Sequence, residues 1–404
     1  MVGVVSRRRV LRRDMAKSEG ELKKEKKQTD AIGQAMLRIQ KKFGAGAIHR
    51  GDAPFVVEMF TAGSLSFDEA LGGGLPRGRV VEYHGPEHSF KTAASLIAIA
   101  KAQARGEVCA FFDAEQALDP SWAIDVLGVQ WKKLIYSDEN MAERIFVMLE
   151  ELAASGVSLI VVDSVGNMSA KKELEGEFDK VINMFAPLSK IMTVGLRRLT
   201  PIANKHKCTI LFINQMRDDL KSFIPKMKTP GGKALKHLAS TRVEFRPPAS
   251  GDFLKTGKDT DIQILGREVR LKVVKNKTGP CFRRGEFRYY YATGVDENYD
   301  LFCYCLQKGI ITAAGSFLKW DKHRWQGKDA MLEALAEKQE LRSSLFQAAQ
   351  DQVSKDEAEH TAQMEEQRKM LATQGIPEVL GEVLAEEEGF IDGEDGDGED
   401  PGHE

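Results

Sequence analysis

The 404-residue chain is 42% hydrophobic and 29% charged, the balance of a soluble globular protein with length for two or three domains. No apolar run approaches the ~20 residues that carry a helix across a bilayer, so a membrane-embedded function is set aside. Net charge is −2, yet 11 acids and no lysine or arginine fall between Gly381 and Glu404, and the rest of the chain holds 58 basic residues against 49 acidic ones.

That +9 body with an acidic tail suits a polyanion binder whose tail competes for its own binding surface; the plainer reading is a tail that only solubilises. In chain order, "MVGVVSRRRVLRRDM" is arginine-rich with a single acid, the composition of a transit segment without its serine-rich length, and Met15 is an alternative start. Ile32, Met36, Leu37, Ile39 and Phe43 fall near helical spacing and predict one amphipathic helix from Ala31 to Phe43, ended by Gly44 and Gly46. From about Phe55 to Cys305, short apolar runs alternate with helical patterns, as in a parallel sheet wrapped by helices. Residues 306–377 lose the strand runs and read as a small, separate, helical and charged domain, clearest in "GKDAMLEALAEKQELRSSLFQAAQ". The tail 378–404 interleaves Gly, Asp and Glu and cannot bury enough apolar surface to order itself. The five cysteines (Cys109, Cys208, Cys281, Cys303, Cys305) form no C-x-x-C pair, which implies reduced thiols in a cytosol-like compartment. With no histidine close by, Cys303 and Cys305 are expected as strand neighbours rather than metal ligands.

Three apolar runs carry polar residues only at their C-terminal ends: "VCAFFDAE" at Glu115, "SLIVVDS" at Asp163 and Ser164, "TILFINQ" at Gln215. Open parallel sheets bind ligands outside those ends. "GPEHSFKT", after the apolar run around Val80 to Tyr83, nearly spells the phosphate loop G-x-x-x-x-G-K-[ST] and points to the same edge. In such a loop backbone N–H groups and the helix start attract phosphate, the lysine reaches the terminal phosphates and the hydroxyl binds magnesium. Those roles fall to Gly85, Pro86, Glu87, His88 and Ser89, then to Lys91 and Thr92, with Asp163 holding the magnesium or its water from the opposite side. Phe90 replaces the second glycine. It is expected to begin the helix with negative φ, where a Cβ is tolerated, and to turn its ring toward a neighbouring strand or the base. Glu115 is a candidate to orient and deprotonate an attacking water, and Gln215 to sense a γ-phosphate. Each, taken alone, is a strand-end residue meeting solvent.

"TAGSLSFDEALGGGLPRGRVVEYHGPEHSFKT", "CAFFDAEQALDP", "LIVVDSVGNM", "FINQMR", "GGKALKHLAS" and "RLKVVKNKTGPCFRRGEF" follow one another in the order and spacing of the RecA recombinases, a resemblance that runs from about Gly33 to Leu341. "SFKT" and "DSVGNMSAKKE" look more like the phage branch, the UvsX-type recombinases. The resemblance implies a RecA-like α/β core with a mainly parallel twisted sheet, an N-terminal helical arm (1–50) that docks on the next subunit, a core over 51–305 and a small α+β C-terminal domain. It implies an ATP- and Mg2+-dependent helical homopolymer on single-stranded DNA that pairs it with a homologous duplex, in a bacterial or phage-infected cytoplasm. A single-strand-binding protein and a recombination mediator are implied as partners. Glu115 then resembles the general base, Gln215 the γ-phosphate sensor, Asp119 and Trp122 the adenine contacts, and Lys275 and Lys277 the pair that reaches ATP across the subunit boundary.

Two segments are expected to touch DNA: "KKELEGEFDKVINMF" after the Asp163 strand and "MRDDLKSFIPKMKTPGGKAL" after Gln215. The second sets Arg217, Lys221, Lys226, Lys228 and Lys233 among Met216, Leu220, Phe223, Ile224 and Met227. Cations fix phosphates, apolar side chains wedge between bases, and neither reads base edges, so binding should be largely sequence-independent. Gly231 and Gly232 would admit a phosphate to the backbone, and Lys190, Thr193 and Arg197 resemble further backbone contacts. His237, Asp218, Asp219 and Pro225 depart from the bacterial pattern of this segment. Two other readings stay open: a ring helicase of the same superfamily, and an ATP-gated DNA-coating protein with weak hydrolysis.

Overall fold

The computed structural model describes residues 31–44, 47–48, 57–176, 187–218, 227–228, 230–257 and 261–373. Two compact units divide the chain, 57–365 and the pair of terminal segments 1–56 with 366–404. In the latter, residues 31–43 are helical, and Gln40 Nε2 donates to the Ile48 carbonyl at 3.0 Å just past the helix end.

The 57–365 unit is organised by six parallel strands, ordered Thr241–Phe245, Val80–Gly85, Thr209–Gln215, Leu159–Asp163, Cys109–Asp113 and Leu134–Ser137. Three of them, Cys109–Asp113, Leu159–Asp163 and Thr209–Gln215, are largely apolar up to their last residues because a parallel sheet covered by helices buries both of its faces; Val80–Gly85 is equally buried but carries Glu82 and His84. Successive residues therefore feed opposite layers. Phe111, Val161 and Leu211 pack with Leu96 and Ile99 of the Lys91–Ala104 helix. Phe112, Val162 and Phe212 pack on the other side with Phe146 of the Ala142–Ala154 helix and Leu196 of the Pro187–His206 helix. At Gly195 a Cβ would lie 2.4 Å from the Phe146 ring, so glycine sets how closely those two helices approach.

Beyond Thr241–Phe245 the sheet turns antiparallel through Gln263–Asn276, Arg284–Tyr290 and Gly294–Val295, and Phe253–Thr256 adds to Gln263–Asn276 from the side. The fold is thus α/β with a mostly parallel sheet, followed by a small C-terminal region that carries its own β-structure.

Two expectations are corrected here. Cys303 and Cys305 lie on the helix Glu297–Gln307, not on a strand. Leu301, Phe302 and Cys305 face the C-terminal core at helical spacing, with Ile311, Leu318, Met331 and Leu345. The reading of residues 306–377 as helical from their composition also gives way, to the α+β arrangement that the family resemblance implied: Thr312–Ala314, Phe317–Trp320 and His323–Gln326 form an antiparallel meander ahead of the helices Gly327–Glu337 and Gln339–Thr373. Asp300 joins this region to the core, accepting from Ser64 Oγ and Leu65 N at 2.7 Å and from Ser66 N at 3.1 Å at the start of the Leu65–Leu71 helix.

Candidate nucleotide site and DNA-facing segments

Hydrogen-bond register brings the strand-end residues together. Gly85 pairs with Gln215 and Asp113 with Asp163, and the Glu115 N–H reaches the Asp163 carbonyl at 3.2 Å. A Cβ on Gly85 would lie 2.4 Å from the Phe245 carbonyl oxygen and 2.7 Å from Ser89 Oγ, so only glycine fits where the loop leaves the sheet. Pro86, Glu87, His88 and Ser89 follow, with Glu87 and His88 exposed and Ser89 buried. The Pro86 carbonyl accepts from Ser89 Oγ at 2.8 Å and from Lys91 Nζ at 2.6 Å, which gathers the loop around its lysine. Thr92 Oγ1 donates to Asp163 Oδ2 at 2.5 Å.

A hydroxyl and a carboxylate side by side supply hard oxygen ligands of the kind Mg2+ takes, and the buried lysine next to them supplies positive charge for a polyphosphate. Burial holds the Lys91 ammonium below its ordinary range, while the negative charges of Asp163, Glu115 and Glu87 oppose that shift. Burial pushes the Asp163 carboxyl up to about 7, countered by the Thr92 hydroxyl and aided by Glu115. Both shifts describe charged groups held out of water close together, a cost that folded proteins concentrate at binding and catalytic sites.

Phe90 does not adopt the expected backbone. It caps the Lys91–Ala104 helix in the left-handed region, φ 82 and ψ 11, a conformation that favours glycine. His88, two residues earlier, has φ 54. A non-glycine residue held this way costs about 1–3 kcal/mol. The ring does turn toward a strand: it is 8% exposed and packs edge-on against Tyr289 at 4.6 Å and Phe287 at 5.6 Å between centroids.

Asp119 is exposed and caps the Pro120–Asp125 helix, accepting from the Ser121 N–H at 2.9 Å. Trp122 is half-buried, and its Nε1 donates to Tyr289 Oη at 3.1 Å, so it joins the aromatic wall that holds Phe90. Lys275 and Lys277 stand apart from this group. They lie where Asn276 pairs with Thr241, at the start of a strand whose far end leads toward the phosphate loop. Lys275 Nζ donates to the Lys236 and His237 carbonyls at 2.9 and 2.7 Å; Lys277 is exposed. One chain therefore does not bring these lysines to Lys91.

Two further groups sit around the rim. The Met216 N–H donates to the Gly85 carbonyl at 3.1 Å, tying the segment after Gln215 to the phosphate loop. Arg217 and Lys228 are backbone partners in a two-stranded ribbon. Leu220 and Lys226, with most of the first DNA-facing segment, fall outside the described residues. At Gly231 and Gly232, φ is 80 and 77, and a Cβ would meet Val165 at 2.7 Å and Ser189 at 2.8 Å, so these glycines serve close packing as well as the turn. Lys233 is exposed. Lys190 and Arg197 project from one exposed face of the Pro187–His206 helix, while the Thr193 hydroxyl bonds back to the Ser189 carbonyl at 2.8 Å.

Sequence reasoning missed the groups beneath the rim. Asn214 Nδ2 donates to Glu82 at 3.0 Å and to the Pro230 carbonyl at 3.3 Å, and Glu82 is in turn ion-paired with buried Arg242. Arg267 was missed too, although the period-two pattern places it on the same strand face as Val269, Leu271 and Val273, where a lone arginine is conspicuous.

A family model described as the RecA N-terminal domain matches residues 30–296. The chain belongs to the RecA family. A RecA protein of Thermus thermophilus is 42% identical over 318 residues, spanning 77% of this chain and 91% of the relative. That of Wolinella succinogenes is 39% identical over 323 residues, with 78% and 89% covered. That of Lactiplantibacillus plantarum is 36% identical over 353 residues, with 85% and 90% covered. Among the described residues of this RecA-family chain no helix is long and apolar enough to cross a membrane.

Proposed function

We propose that this RecA-family chain assembles head to tail along single-stranded DNA and completes each ATP site with Lys275 and Lys277 of a neighbouring copy. The chain is an ATP-dependent DNA recombinase and a DNA-dependent ATPase that uses ATP with Mg2+ and binds DNA as a self-assembled filament. The observation that carries the assembly reading is the separation of the two lysines from Lys91 within one chain. A contact between different surfaces of successive copies does not close on itself unless the rotation happens to make a ring, so it propagates as a filament.

At each site the phosphate-loop N–H groups and Lys91 would bind and orient the triphosphate. Thr92 and Asp163 would hold Mg2+, which supplies charge neutralisation on the phosphate oxygens. Glu115, adjacent to the Asp163 strand end, would orient a water and take its proton as the water attacks the γ-phosphorus and ADP leaves. Gln215 would bond to the γ-phosphate, with Asp119 and Trp122 beside the adenine. Because Met216 is tied to Gly85, a change at Gln215 passes directly into the segment bearing Arg217, Leu220, Lys226, Lys228 and Lys233. Together with Lys190, Thr193, Arg197, Gly231 and Gly232, these residues would contact the DNA backbone without reading sequence.

The finer placement in the phage UvsX-type branch is supported by "SFKT" and "DSVGNMSAKKE". A single-strand-binding protein and a mediator would assist loading in a bacterial or phage-infected cytoplasm. In domain terms, 1–50 would form the docking arm, 51–305 the ATPase core, 306–377 the C-terminal domain and 378–404 the acidic tail. Electron microscopy of the full chain with Mg·ATP and single-stranded DNA tests the assembly. Helical filaments are expected. Closed rings would favour a helicase, and coated DNA that persists without hydrolysis would favour a coating protein.

A further inference from the structure

Two residues of the phosphate loop, His88 and Phe90, hold left-handed backbone without being glycine, so something outside the loop must over-determine their conformation. Arg267 contacts both. Its Nη1 donates to the His88 carbonyl at 2.5 Å, and its guanidinium carbon lies 5.4 Å from the centre of the Phe90 ring. It stands opposite Tyr289 in the antiparallel register, and Tyr289 is the residue on which Phe90 packs. The side chain is 7% exposed, and among the described residues no carboxylate lies within ion-pair distance of it. Asp252, whose charge does act on it, is paired with Arg270 at 2.7 Å.

Burying a guanidinium without a carboxylate partner is costly, and a hydrogen bond to a carbonyl with an aromatic face beside it offsets only part of that cost. The geometric consequence falls on the nucleotide. A trans peptide is planar, so its C=O and N–H point in opposite directions. A His88 carbonyl drawn toward Arg267 therefore turns the Ser89 N–H away from it. The Phe90 ring, fixed between Arg267, Phe287 and Tyr289, sets the direction in which the helix carrying Lys91 and Thr92 departs.

We propose that Arg267 is a positioning residue for the triphosphate: it holds the His88 carbonyl and the Phe90 ring so that the Ser89 N–H and Lys91 are aimed before the ligand arrives. This rests on the reading that the loop binds Mg·ATP, and it goes beyond that reading by assigning the work normally done by the second loop glycine to an arginine on a distant strand.

Equilibrium titration of the full chain with Mg·ATP, alongside thermal unfolding and DNA-stimulated turnover, provides the test. Arg267→Met is expected to raise the Kd about tenfold, with a smaller effect on kcat at saturating nucleotide, because preorganisation is lost but no reacting group is. Arg267→Lys keeps a cation able to bond the carbonyl but loses the flat contact with the ring, and is expected to raise the Kd about threefold. In a Phe90→Gly background, where position 90 takes its conformation freely, Arg267→Met should have a smaller effect than in the parent. A Kd within about twofold of the parent for folded Arg267→Met and Arg267→Lys would overturn the proposal, as would the same fold-effect in both backgrounds. Should Arg267→Met not fold, Arg267→Lys decides alone by the same criterion. If the unaltered chain does not bind Mg·ATP, the nucleotide reading itself fails; binding by the parent with indifferent variants would sink only the role of Arg267.

Discussion

Replacing Phe90 by alanine and by glycine separates ring packing from backbone strain. Both variants lose the same ring, 8% exposed against Tyr289 and Phe287, and each should lose about 3–5 kcal/mol from that alone. They differ only in the Cβ. At an ordinary position glycine is the less stable of the two by about 0.5–1 kcal/mol, because it has more backbone freedom to lose. At φ 82 the order should reverse, since a Cβ in left-handed backbone costs about 1–2 kcal/mol. Phe90→Gly is therefore expected to be more stable than Phe90→Ala by roughly 0.5–1 kcal/mol, a gap of only about one to two degrees in Tm for a domain of this size. Urea unfolding followed by tryptophan fluorescence, to which Trp122 and Trp131 of the core contribute with Trp320 and Trp325, in high salt to suppress assembly, would resolve it. Alanine equal to or better than glycine would refute a left-handed residue 90 and the need for a brace.

Glu115→Gln is expected to bind Mg·ATP as the parent does while turnover falls by about a hundredfold or more, the usual scale for removing a general base; unchanged turnover in a single-turnover assay would remove Glu115 from that role. Asp68 is half-buried, and desolvation pushes its carboxyl up to about 7 despite hydrogen bonds from Thr61 and the Ala62 N–H. A carboxyl raised on folding contributes stability that is complete below about pH 4 and lost as pH rises through about 7, at up to roughly 1.4 kcal/mol per pH unit. The unfolding free energy of Asp68→Asn relative to the parent should thus improve from pH 5 to pH 7.5, and a flat difference would contradict the burial. Asp300→Ala orphans one hydroxyl and two N–H groups at the start of the Leu65–Leu71 helix and should destabilise the chain by at least about 2 kcal/mol, read by chemical denaturation; a loss under about 0.5 kcal/mol would show that water replaces the carboxylate.

Much of the core was legible because its signals are local. The runs ending at Asp113, Asp163 and Gln215 contain almost nothing polar before their last residues, and a buried parallel sheet demands that. The grouping of the candidate site was legible on similar grounds: Asp163 and Glu115 sit in or just beyond two of those strands, Gly85 ends the neighbouring strand Val80–Gly85, and Lys91 and Thr92 begin the helix that follows it. Phe90 was misjudged because the sequence of the loop does not specify φ; what lets a phenylalanine occupy a glycine conformation is a set of rings and a guanidinium contributed by strands far along the chain. Trp122 with Tyr289 and Arg267 with His88 were invisible for the same reason, being separated by 167 and 179 residues. Cys303 and Cys305 went to a strand because "LFCYCL" is apolar throughout, and such a run fits both periods. The three meander strands escaped the pattern of apolar runs, though not the resemblance, because they are only three or four residues long and largely exposed.

The central claim is that a triphosphate held at the ends of the parallel strands governs the grip on DNA. Steady-state ATP hydrolysis by the full chain, measured with and without single-stranded DNA and repeated with Lys91→Ala, tests it most directly. Hydrolysis should rise at least about tenfold with DNA and disappear in the variant, a loss of several kcal/mol of transition-state stabilisation. A rate indifferent to DNA, or DNA-stimulated hydrolysis that survives Lys91→Ala, would contradict it.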